Sequence, residues 1–306
     1  MAGQATRGPP PRIVRMDIEI TFISDPGCPW GYSASPALAA LEWRYGPRLR
    51  WDLVTIGIAE DASGYEERGY DPIMMGQRME MFRQFGMPFT QGPRARLTGT
   101  GRACRALHAV RVVSPGDEMT AFRALQLGWF TTRMLMDEDP NIATALGRVP
   151  GLDVRAVMAL LDAPEVEDAY QADRARARTA AGSPTAFQGK ASGSEGAVRY
   201  TAPSLLFRAG GTVLEAGGFQ PLEAYDVIVA NLDPTGFRRT LPDDRPEEVL
   251  AEFPLGLSTQ EMAEVMRTDI ERPIDRRAAA QSLLRAVGRG TVKVEPLGDD
   301  ALWSVA

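Results

Sequence analysis

One cysteine in this chain stands where a thiol can be made reactive. Cys28 opens the run Cys28-Pro29-Trp30-Gly31-Tyr32, between a short β-rich segment and an alanine- and leucine-rich helical one. At a helix start the first N–H groups lack intrahelical acceptors, and the helix dipole adds partial positive charge. Both effects favour thiolate over thiol, so the position predicts a Cys28 with a depressed pKa that is nucleophilic at neutral pH. Pro29 suits the first turn because it has no N–H to lose. The plainer alternative is an inert buried cysteine, the usual fate of a lone one.

Few other residues offer chemistry. Cys104 lies in the helical pattern GRACRALHAVR, where a core cysteine is the commoner role; pairing with Cys28 would need Cα atoms within about 7 Å. His108, the one histidine, sits four residues further on and reads as structural. Its solitude excludes zinc sites built on two or three histidines, and no metal is expected. Arg94, Arg96 and Arg102 make the preceding segment basic, with forks suited to carboxylates or, more ordinarily, to solvent.

The elements that must position Cys28 can be read from periodicity. Residues 17–24 carry Ile18, Ile20 and Phe22 on one face and Ile23 on the other, the pattern of a strand covered on both faces. A helix from Pro29 to Tyr45 and a second strand over 49–57 complete a β–α–β unit, with a parallel pair predicted. From about 60 to 182 the period is helical. The methionine-rich stripe Met74, Met75, Met79 and Met81 is expected to fill a helical core, with a flexible substrate groove as the alternative. Residues 182–198 are small and glycine-rich, a loop. Residues 204–208 and the TVLEA run after Gly210-Gly211 read as a hairpin, followed by a helix over 221–232. Beyond a Pro- and Asp-rich linker at 233–246, three helices and a final two-strand pattern give a winged-helix-like order.

Composition narrows the functions. The chain has 306 residues, long enough for about two domains with large cores, so its two cysteines are not needed as staples. The net charge is −6, and residues 243–306 hold 8 basic against 13 acidic side chains. That balance argues against nucleic acid, despite the winged-helix-like order, and gives no pull towards an anionic membrane. Residues 1–15 read as a disordered tail without the apolar stretch of a secretory signal. No apolar run reaches the roughly 18–20 residues of a membrane span, and a cytoplasmic location is expected.

Two segments together carry a resemblance. Asp25-Pro26-Gly27-Cys28-Pro29-Trp30-Gly31-Tyr32 resembles the active-site turn C-P-W-C-Y of the DsbA-like branch of the thioredoxin fold, and Tyr200-Thr201-Ala202-Pro203-Ser204 resembles its cis-proline segment. That branch includes bacterial disulfide oxidoreductases, FrnE-type proteins, mycothiol-dependent reductases, kappa-class glutathione transferases and 2-hydroxychromene-2-carboxylate isomerases. The resemblance covers about residues 16–235. It implies an α/β thioredoxin-like fold over 16–59 and 193–235, with an inserted α-helical domain and loop at 60–192. The small C-terminal winged-helix-like α+β module, 236–306, falls outside it and is expected to serve structure, a protein partner or a dimer contact.

The resemblance also assigns roles. Cys28 is the expected catalytic thiol, Pro29, Trp30, Gly31 and Tyr32 form its turn, with Trp30 and Tyr32 as a stacking surface, and Thr201, Ala202 and Pro203 form the docking edge for a substrate or thiol. The departure is Gly31, which stands where the second cysteine normally does, so disulfide donation from a C-x-x-C pair is unavailable. Three functions remain. The leading one is a monothiol, thiol-dependent oxidoreductase acting on a small-molecule or protein disulfide, with glutathione or mycothiol as co-substrate and no tightly bound cofactor. The others are a thiol-dependent transferase or isomerase for a small electrophile, and a non-catalytic adaptor.

Overall fold

The computed structural model describes residues 17–193, 196–234, 238–241, 245–269 and 272–306. The expected tail at 1–15 lies outside the described residues, as do parts of the 182–198 loop and the 233–246 linker. The chain opens with strand β1 (Ile18–Ser24), helices α1 (Pro29–Ser33) and α2 (Ser35–Tyr45), and strand β2 (Leu49–Thr55). An all-helical stretch follows: α3 (Ser63–Glu66), α4 (Pro72–Glu80), α5 (Gly101–Val113), α6 (Glu118–Thr131), α7 (Asp139–Leu146), α8 (Val154–Ala159), α9 (Pro164–Ala177) and α10 (Pro184–Phe187). Strands return as β3 (Ala191–Ser192), β4 (Arg199–Tyr200), β5 (Ser204–Ala209) and β6 (Thr212–Gly217), capped by α11 (Leu222–Leu232). The C-terminal segment runs α12 (Pro246–Leu250), β7 (Leu257–Ser258), α13 (Thr259–Val265), α14 (Arg276–Gly288), β8 (Val292–Leu297) and β9 (Asp300–Val305).

The central sheet has the order β2-β1-β5-β6. β1 and β2 are parallel, Phe22 opposite Leu53, while β5 runs antiparallel to β1 with Leu205 opposite Phe22. A parallel neighbour needs a crossover, which α1 and α2 supply, and the β5–β6 hairpin needs only its glycine turn. Both faces of β1 are covered: Ile18, Ile20 and Phe22 enter the main core, and Ile23 enters a smaller one with Val54, Ile56, Ala177 and Tyr200. The expected helix at 29–45 is divided at Ala34, two residues before Pro36, whose ring cannot donate to the turn behind it.

The methionine-rich stripe departs from the core expectation. α4 buries none of its residues, and Met75, Met79 and Met81 face a cavity. The helical period holds, but Met75 and Met79 are only half-buried: Met79 packs on the edge of the main core, and both side chains line the cavity.

The C-terminal segment shares the main core, because Leu257, Met262, Leu283 and Trp303 belong to the same continuous cluster as Phe22 and Leu41. α13 packs along α2, the helix that follows the Cys28 turn. Its three strands form a separate sheet of order β7-β9-β8. Ser258 caps α13 by a reciprocal box: its Oγ accepts from the Glu261 N–H at 3.2 Å, and the Glu261 carboxylate accepts from the Ser258 N–H at 2.7 Å. The same buried carboxylate takes the Arg123 guanidinium from α6, tying the segment to the helical stretch. Among the described residues no helix is long and apolar enough to cross a membrane.

Candidate active site around Cys28

Asp25 builds the turn. Its buried carboxyl accepts from the Gly27 N–H at 2.9 Å, the Ile58 N–H at 2.8 Å and the Thr100 hydroxyl at 2.9 Å, and the Cys104 thiol lies 3.8 Å away. Burial raises its pKa against those donors. Asp25 was not singled out from sequence, although an Asp-Pro-Gly run is a turn signal in its own right. Gly27 is required here: a Cβ would sit 2.7 Å from the Thr100 methyl and 2.8 Å from the Trp129 ring.

Cys28 caps α1, its sulfur accepting from the Gly31 N–H at 3.4 Å. Its own thiol donates to the Ala202 carbonyl, also at 3.4 Å. The Ala202–Pro203 peptide bond is cis. The residue is only 4% exposed. Burial pushes its thiol pKa up to about 12, and the Asp25 charge adds to that. The Gly31 and Trp30 N–H groups and Arg199 pull downward. The expected depression is therefore overturned: the helix start acts in the anticipated direction, but removing the thiolate from water outweighs it.

The rest of the turn divides sharply. Trp30 is 42% exposed and its ring is flanked by Phe82 at 5.0 Å, Phe85 at 5.4 Å and Phe219 at 5.5 Å between centroids. Tyr32, expected as a stacking surface, is 1% exposed; its ring stacks on Phe130 and its hydroxyl donates to the Pro88 carbonyl at 2.9 Å. It supports the site from below. At Gly31 a Cβ would meet the buried Ser24 hydroxyl at 2.7 Å, so a second cysteine here would require that hydroxyl to move. Pro29 lies in the first turn and lines the cavity described below.

Thr201 is tied back by its hydroxyl to the Lys190 carbonyl at 2.8 Å, and its own carbonyl accepts from Ser204 Oγ at 2.6 Å. Pro203 precedes β5. The docking-edge residues thus lie against Cys28 through Ala202. Arg199, in β4 two residues before that edge, was not anticipated, yet its charge acts on Cys28; a basic residue just ahead of Thr-Ala-Pro was the available signal.

The other expected candidates separate in the same way. Cys104 is a free, fully buried thiol held towards Asp25, with its pKa well above the usual range. His108 is buried, 3.0 Å from the Thr55 hydroxyl and 3.5 Å from Asp173; burial, with Arg111 and Arg105, lowers its pKa to about 4. It holds α5 to β2 and α9, away from the thiol. Arg96 pairs with Asp137 and Glu138, and Arg102 with Asp139 and Asp162.

Beside the turn lies a cavity of about 510 Å³. Gly27, Pro29 and Trp30 form one wall, and Met75, Met79, Phe82, Phe89 and Phe130 face them. The segment carrying Phe89 is held by the C-terminal part: the Phe89 N–H donates to Asp299 at 2.8 Å, Ser258 Oγ donates to Met87 Sδ at 3.4 Å, and a Cβ at Gly86 would strike Gln260. The residues after 236 thus shape the cavity without lining it.

A strand–turn–helix with a capping cysteine, opposed by a cis-proline edge and split by a helical stretch, defines the class. Residues 19–202 match the model of the DSBA-like thioredoxin domain, and the chain belongs to that family. Among solved structures the chain is similar to a candidate protein disulfide isomerase from Nitrosomonas europaea, at 16% identity and a TM-score of 0.55, covering 72% of this chain and 100% of that one. It is also similar to the cytosolic disulfide reductase DsbM from Pseudomonas aeruginosa, at 18% identity and a TM-score of 0.49 over 70% of this chain and 99% of that one. A third likeness is to a 2-hydroxychromene-2-carboxylate isomerase, at 14% identity and a TM-score of 0.43 over 70% and 95%. At such identities the likeness is one of fold. No curated protein matches the chain.

Proposed function

We propose that the protein is a thiol-dependent transferase or isomerase for a small electrophilic molecule, with a low-molecular-weight thiol such as glutathione or mycothiol as co-substrate. The observation that carries this reading is the state of Cys28: a buried, protonated thiol already donating a hydrogen bond, beside an apolar cavity. The co-substrate would lie along Thr201-Ala202-Pro203, the segment between β4 and β5 that meets Cys28. Cys28 S–H would turn from the Ala202 carbonyl to the co-substrate sulfur and stabilise its thiolate. A thiol that stays protonated at neutral pH suits a donor, and the electrophile would be held in the cavity.

A monothiol oxidoreductase is the second reading, favoured by the N–H groups of Gly31 and Trp30 aimed at the sulfur. It needs Cys28 as thiolate. From a pKa of about 12, ionisation at pH 7 costs about 7 kcal/mol at 1.36 kcal/mol per unit, which substrate binding would have to offset. Cys28→Ser separates the two. Transfer of glutathione to a chromogenic electrophile should survive in Cys28→Ser, since a hydroxyl also donates, and fall at least about tenfold in Cys28→Ala. Complete loss in Cys28→Ser, with a Cys28–glutathione disulfide trapped in the parent protein, would establish the monothiol reading instead.

A further inference from the structure

Three arginines and no carboxylate line the cavity beside the turn, among the described residues. Arg78 is exposed and stacks over the Tyr70 ring at 4.7 Å, and Arg96 is neutralised by Asp137 and Glu138. Arg94 differs from both. Its guanidinium donates to the Trp129 carbonyl and lies 5.9 Å from the centre of the Trp129 ring, while its Nε is buried without an acceptor. Among the described residues no carboxylate pairs with it. Burial alone lowers its pKa to about 10, which still leaves it charged at neutral pH. Desolvating a cation without a counter-charge costs several kcal/mol, so an uncompensated one in a hollow marks a place for an anion.

The position gives that charge a use. The Trp129 ring that Arg94 overlies is the same ring that presses on Gly27, the residue before Cys28. An anion on Arg94 would therefore leave the attached apolar body between Trp129 and the wall made by Pro29 and Trp30. The volume, about 510 Å³, lies in the range of small-molecule sites, about 300–1,000 Å³.

We infer that this cavity binds a small apolar or aromatic molecule carrying one carboxylate, with the carboxylate seated on Arg94 and the apolar body on Trp129 and the methionines of α4. The inference names the substrate class of the reaction proposed above and rests on that reading only for the molecule's fate. Arginine offers a planar fork that matches a carboxylate, and the aromatic and thioether lining accepts flat bodies of varied outline.

The test uses the full chain and a matched pair of probes, naphthoate and its neutral counterpart naphthylmethanol. Binding is read by quenching of tryptophan fluorescence, since Trp30 and Trp129 both line the cavity. The parent protein should bind naphthoate at least about tenfold more tightly, because its carboxylate forms charge-assisted hydrogen bonds that the neutral alcohol lacks. Arg94→Gln should erase that preference while keeping the affinity for naphthylmethanol, and Arg94→Lys should retain part of it. Equal affinities in the parent protein overturn the inference, as does a preference that persists in Arg94→Gln. The parent comparison needs no variant to fold. Carboxylate-selective binding without any thiol-dependent turnover would sink the proposed function and leave this site standing; turnover of neutral electrophiles alone, without the preference, would do the reverse.

Discussion

The thiol of Cys28 donates to the carbonyl of Ala202 at 3.4 Å, joining two residues 174 positions apart in the chain. Each half is unremarkable locally: one residue caps a five-residue helix, the other precedes a cis-proline. Together they bring the thiol against the cis-proline segment, where it is almost wholly buried. The family's two sequence signatures meet at this hydrogen bond, and the buried thiol follows from their meeting.

Gly31 gives the first prediction. A Cβ at this position would stand 2.7 Å from the Ser24 hydroxyl, itself buried and without a hydrogen-bond partner. Gly31→Cys should therefore destabilise the protein by about 1–3 kcal/mol in urea unfolding, the usual cost of overpacking. Removing the obstructing oxygen in Ser24→Ala/Gly31→Cys should recover most of it. A single variant as stable as the parent would show that the position tolerates a cysteine and that its absence is not enforced by packing.

Arg123 supports the second. Its partner Glu261 is fully buried and also caps α13, so removing the cation strands a carboxylate in the core. Arg123→Met should cost about 3–5 kcal/mol, as broken buried pairs do. Adding Glu261→Gln should return part of that loss, because the amide keeps the capping acceptor without the charge. The readouts are urea unfolding and the rate at which a protease cuts between α11 and α12. Additive losses in the double variant would mean the two side chains do not act as a pair.

What the sequence made legible was local. β1, the Cys28 turn, β2 and the β5–β6 hairpin follow from residue alternation, a proline at a helix start and paired glycines, each a matter of a few neighbouring residues. Most of the features that differ depend on residues far away in the chain. The helix-start argument for a depressed thiol pKa rests on α1 alone, whereas burial, with Ala202 against the sulfur from 174 residues away, acts in the other direction. The α4 methionines have helical spacing in either a core or a groove, and only the tertiary surroundings separate the two. Tyr32 looked like a flanking surface because it neighbours Trp30, but the helix turns the two rings in opposite directions. Among Arg94, Arg96 and Arg102, equal in sequence, only the fold decides which finds a carboxylate.

His108 carries the third prediction, helped by being the one histidine in the chain. Its folded pKa, about 4, lies below the ordinary 6.5, so the fold binds the neutral ring and the unfolded chain takes up the proton. Its contribution to stability is present above pH 6.5 and is lost as the pH falls towards 4. Asp173, facing it at 3.5 Å with a raised pKa, works in the opposite direction as it gains its own proton. The single imidazole resonance in proton NMR should stay in its neutral position down to about pH 5. Titration near 6.5 in the folded protein would mean the ring reaches solvent and the His108–Thr55 contact between α5 and β2 is not kept.

The most direct test is the ionisation of Cys28 itself, read from ultraviolet thiolate absorbance against pH in a Cys104→Ser background, with circular dichroism confirming that the fold persists. The account predicts no thiolate below about pH 9, and a pKa approaching 12 for as long as the protein stays folded. A thiolate titrating below the free-cysteine value of about 8.5 would contradict it, and would return Cys28 to the role of nucleophile.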